Sequence, residues 1–61
     1  MPAGPLLARA TWVVEFVKEF RRIRPEMSPK FATVIAGNLY LQSKATDPRT
    51  AAREYAKRAG L

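Results

Sequence analysis

Glu15 and Glu19 are the nearest pair of carboxylates in the chain, four residues apart. Two carboxyls do general acid–base chemistry only when a cleft holds them in unlike environments. Lys18 and Arg22 follow them at three-residue spacing, so ion-paired groups on a helix surface are the expectation. The sequence contains no His and no Cys. Nucleophilic triads of the Ser-His-Asp or Cys-His type therefore have no partners to draw on. Zinc sites built on thiolate or imidazole are excluded for the same reason. The three glycines, at 4, 37 and 60, form no phosphate-cradling loop motif. The expectation is a chain that is not an enzyme, with no catalytic residue, no metal and no cofactor.

The cations are the other residues able to do chemistry, by holding anions. Lys18, Arg21, Arg22 and Arg24 place four positive charges in seven residues, more than a helix end requires for its dipole. Arg49, Arg53 and Lys57 follow at i, i+4 and i+8, a ridge of about 12 Å along a helix. Such a ridge is long enough to touch more than one backbone phosphate. Those seven residues are the candidate nucleic-acid contacts. The chain carries 11 Lys and Arg against 5 Asp and Glu, a net charge of +6, which favours acidic partners. A solvated polar face is the plainer explanation of each group, since a basic stripe is only an electrostatic footprint.

Positioning those side chains requires helices. No run alternates between apolar and polar residues in the manner of a strand. The expected fold is all-α, a three-helix up-down-up bundle with helices over about 5–23, 29–44 and 48–59. Gly4-Pro5 supplies a start for the first helix, and Pro25 ends it. Ser28-Pro29 and Asp47-Pro48 each read as an N-cap followed by proline at the first helical position. Gly60 sits where a helix-ending residue would. With 61 residues the chain forms a single domain, and its core yields only ~3–5 kcal/mol without further help.

Charge is unevenly distributed along these elements. Residues 31–43 carry no formal charge, while the segments on either side are basic. Helix 2 is therefore expected to be the central helix of the bundle. At about 100° per residue its apolar side chains Phe31, Ala32, Val34, Ile35, Leu39 and Leu41 cover about 180°. One neighbour cannot cover that arc, so two flanking helices or a second copy of the chain must. Ala36 and Gly37 would permit close approach of another backbone. The aromatic residues Trp12, Phe16, Phe20 and Phe31 are expected in the core by their helical spacing.

Asn38 and Gln42 fall within the apolar arc of helix 2, and Tyr40 and Val14 point away from their own arcs. Asn38, Tyr40 and Gln42 are the candidate interface of a helical protein–protein module acting as a homodimer. That module is the alternative to nucleic-acid binding. The start of the chain lacks the charged and apolar regions of a signal peptide, and no apolar run reaches the ~20 residues of a membrane span. A cytoplasmic setting is the resulting expectation.

Overall fold

The computed structural model describes residues 8–58. Three helices account for most of them: α1 over Arg9–Ile23, α2 over Pro29–Ser43 and α3 over Pro48–Arg58. Among the described residues there is no strand. Ser28 caps α2 as its sequence suggests, its Oγ accepting from the Phe31 N–H at 3.1 Å. Asp47 does the same for α3, one carboxylate oxygen accepting from the N–H groups of Arg49 and Thr50 at 3.0 and 3.1 Å. Arg24, before Pro25, leaves the helical region, and its N–H makes the last α1 hydrogen bond to the Phe20 carbonyl at 2.8 Å. The start of α1 differs from expectation: Ala8 is already extended and Arg9 begins the helix. The Gly4-Pro5 start and the Gly60 stop lie outside the described residues.

Matched contacts fix the directions of the helices. Trp12 Nε1–H donates to the Thr46 carbonyl at 3.0 Å, and Arg49 and Arg53 meet Glu15 and Glu19 in the same order. α1 and α3 therefore run parallel. α2, which joins them through two short turns, runs the other way, giving the up-down-up arrangement.

The central helix is α1, not α2. Both other helices pack on α1 and scarcely touch each other. The reason lies in where the bulk is. Trp12, Phe16 and Phe20, all on α1, are the largest fully buried side chains. α2 and α3 bring small residues to them: Ala32 and Ala36 with Ile35 on one side, Ala51, Ala52 and Ala56 on the other. An aromatic ridge seated between two alanine-rich surfaces lets the helices approach closely and fills the space between them. Tyr40 and Tyr55 extend the ridge, edge-on to Trp12 and Phe20 with ring centroids 5.6 and 5.8 Å away. The five rings thus form a continuous ladder along the bundle.

The same packing overturns part of the expectation for α2. Its arc is wider than α1 can cover, and among the described residues nothing takes the rest. Phe31, expected in the core, is 53% exposed, with Val34 at 54% and Leu41 at 74%. The uncharged segment therefore forms one flank of the bundle and not its axis. Gly37 does face a neighbour, but it is the end of the Arg9 side chain and not a backbone.

Candidate functional site

Glu15 and Glu19 lie one turn apart on the side of α1 that meets α3. Arg49 and Arg53 have the same four-residue spacing on α3, and because the two helices are parallel the pairs come into register. Arg49 Nη2 donates to Glu15 Oε1 at 3.2 Å, and Arg53 Nη1 donates to Glu19 Oε2 at 3.3 Å. On α1 itself, Arg22 grips Glu19 with two hydrogen bonds, Nε at 3.2 Å and Nη2 at 2.7 Å. Lys18 Nζ stands 3.8 Å from Glu15. Each carboxylate is thus flanked by two cations from two helices.

Depth separates the two signs of charge. The side chains of Lys18, Arg22, Arg49 and Arg53 are 71%, 67%, 63% and 54% exposed, while those of Glu15 and Glu19 are 27% and 9% exposed. The carboxylates lie underneath and the cations lie on top. The hydrogen bonds from Arg22, then the charges of Arg22 and Arg53, hold the Glu19 carboxyl below its ordinary value against the opposing effect of burial. The same pairing raises Arg22. Ammonium and guanidinium groups are left facing solvent with N–H donors to spare, since an arginine has five. Lys57 continues the row one turn beyond Arg53, is exposed, and makes no ion pair among the described residues.

Of the seven cations singled out in the sequence, five therefore share one face: Lys18, Arg22, Arg49, Arg53 and Lys57. Arg21 and Arg24 are turned to the α1–α2 connection. Arg21 Nε donates to the Met27 carbonyl at 3.0 Å, and Arg24 Nε donates to Glu26 at 2.6 Å. Their positive charge braces a turn. The bridging role of Glu15 and Glu19 goes beyond the solvated pairs expected within α1. The signal for it is the shared four-residue spacing of 15/19 and 49/53, which becomes informative once α1 and α3 are known to be parallel.

The three candidate interface residues fare differently. Asn38 and Gln42 are exposed on the outer side of α2, and neither side chain hydrogen-bonds within the described residues. They are not buried amides in need of a partner inside the chain. Tyr40 is half-buried, its ring against Trp12 and beneath the Arg9 guanidinium, which lies 6.0 Å from the ring centre. It is part of the core ladder and is not an open contact.

A small cleft of about 50 Å³ opens between α2 and α3, lined by Leu39, Ser43, Thr46 and Tyr55 among others. It is far below the ~300 Å³ of a small-molecule site. Among the described residues there is no cluster of three or more metal-ligating side chains, and no helix is long and apolar enough to cross a membrane. Comparison with protein-family models, with curated proteins and with solved structures finds no match to this chain.

Proposed function

We propose that the chain is a non-enzymatic binding protein whose α1/α3 face holds the phosphate backbone of a nucleic acid. The observation that carries this reading is the layering of charge: cations exposed over recessed carboxylates. The cationic heads reach past the carboxylates they pair with, so the outermost layer of these pairs is positive. Here the carboxylates hold the guanidinium groups in place from below, so less side-chain freedom is lost when an anion arrives. Arg49, Arg53 and Lys57 run for about 12 Å, with Lys18 and Arg22 alongside on α1. Arginine's planar donor fork suits phosphate oxygens. No set of base-reading side chains accompanies the ridge, so binding is through the backbone and indifferent to sequence.

The test is a titration of the chain with duplex and single-stranded oligonucleotides at several salt concentrations. Four or five phosphate contacts give a slope of log K against log salt of about −4 for duplex. Lys57→Gln is the informative variant, because Lys57 makes no ion pair or hydrogen bond with another side chain among the described residues. It should weaken binding and reduce the slope by about 0.9, one phosphate's worth. Absence of binding at about 50 mM salt, where non-specific contacts are strong, would overturn the reading. So would binding that salt does not weaken.

A further inference from the structure

We propose that the outer face of α2 is a self-association seam, on which a second copy of this chain packs with its α2 parallel to the first. The seam is written in the spacing of Phe31, Val34, Asn38 and Leu41, steps of three, four and three residues. That is the alternation of a heptad's a and d positions, the pattern by which two helices interlock side chains. At about 100° per residue the four lie within about 80° of one another. The adjoining side of α2, Ala32, Ile35, Ala36 and Leu39, is taken up by the core. α2 is therefore apolar on two sides, and the described residues cover only the first.

Among the described residues, Phe31, Val34 and Leu41 are three of the four large hydrophobic side chains left exposed. Together they offer on the order of 300 Å² of apolar surface, the size at which a patch on a small protein signals contact with something. Asn38 identifies the occupant as another copy. In a parallel pair each a-position residue faces its own mate, so Asn38 meets Asn38 of the second copy. An amide carries both donor and acceptor and can bond to its twin. A lipid surface would leave that amide without such a partner in the middle of an apolar stripe.

The charges agree with this arrangement. Lys30 and Lys44 flank the seam at g positions. In a parallel pair, Lys30 lies beside Ile35 of the second copy, and no like charges meet. In an antiparallel pair, Lys30 would meet Lys44, and Asn38 would face Val34. The carboxylate-braced cations lie on the α1/α3 seam, which contains no α2 residue. The molecule is about 20 Å thick in its shorter directions. Basic faces held that far apart repel little across a Debye length of about 8–10 Å. The open area is below that of a standard interface, so the dimer is a weak one, with a Kd on the order of 10 µM.

Sedimentation equilibrium of the whole chain from about 1 µM to 1 mM tests this without nucleic acid, and so independently of the basic face. The expected result is reversible dimerisation in that range. Leu41→Glu should raise Kd at least about a hundredfold while leaving helical content unchanged, because Leu41 is the least buried of the three. Asn38→Leu should tighten association about tenfold or more, since a polar a-position residue costs stability in exchange for register. Orientation is read with Leu41→Cys, the only thiol in the molecule: a parallel pair places the two sulfurs together and oxidises to a covalent dimer. Four results would overturn the proposal: a monomer at 1 mM, a dimer indifferent to Leu41→Glu, a Leu41→Cys chain that cross-links only with a Phe31→Cys chain, and a monomer that instead partitions onto anionic vesicles.

Discussion

Among the described residues Glu19 is the one buried charged side chain, with the hydrogen bonds of two arginines on its carboxylate. No buried side-chain polar atom among the described residues lacks a partner, so the charge is housed and not stranded. Its folded-state pKa lies below the ordinary carboxylate value of 4.5, chiefly through Arg22. The folded chain then binds fewer protons than the unfolded chain near that pH. Stability from this group is fully present above pH 4.5 and is lost as pH falls through the lowered folded value. The exposed Glu26, lowered first by a backbone hydrogen bond and then by Arg24, acts in the same window and direction. Thermal melts from pH 7 to pH 2 should show this acid-side loss. Glu19→Gln should be less stable than wild type at pH 7 and flatter below pH 4.5, and Glu26→Gln serves as the exposed comparison. A Glu19→Gln profile parallel to wild type would show that the pairing contributes nothing to folding. Gly37 offers a gain in the other direction. Among the described residues, a Cβ there would meet the Arg9 Nη2 at 3.2 Å, the far end of a flexible side chain. Gly37→Ala should therefore stabilise α2 by about 0.5–1 kcal/mol, raising Tm by a few degrees.

At the scale of the element, the caps are the most local determinants of the fold. Ser28→Ala removes the Oγ that accepts from Phe31, and a cost of ~1 kcal/mol is expected in urea unfolding. Asp47→Ala, which frees two N–H groups of α3, should cost at least as much. A loss under about 0.3 kcal/mol for both would mean that packing alone holds the helix starts. These signals made the starts of α2 and α3, and Pro25 the end of α1, legible in the sequence, because cap and proline effects act within one turn. The order of packing was not legible. Apolar arcs identify which sides want covering, but not which helix covers them. Charge drew attention to α2, whereas volume decided the matter: Trp12, Phe16 and Phe20 on α1 demanded cover on two sides, and alanines on α2 and α3 could give it. For the same reason Phe31, with impeccable helical spacing, ended outside. The candidate site was half legible. The spacing of Arg49, Arg53 and Lys57 showed a ridge. That Lys18 and Arg22 join it while Arg21 and Arg24 do not depended on the direction of α3.

Taken as a whole, the molecule separates its surfaces: the layered cations lie along the α1/α3 seam and the uncharged stripe on the outside of α2. A dimer formed through α2 would carry two basic faces pointing away from each other. On a short oligonucleotide only one face can be engaged, and dimerisation should add nothing. On a long polymer each bound copy of such a dimer would recruit a second, whose face would reach another stretch of backbone at high effective concentration. Leu41→Glu separates the cases, because Leu41 belongs to neither the core nor the basic face. Its affinity for an oligonucleotide spanning one face should equal that of wild type. Its affinity for a polynucleotide of hundreds of residues should fall by roughly 10–100-fold, together with any cooperativity along the strand. Equal losses on short and long strands would mean that α2 itself touches the nucleic acid. Equal affinity on both would mean that the two surfaces act without reference to each other, and that the dimer's faces never share one strand.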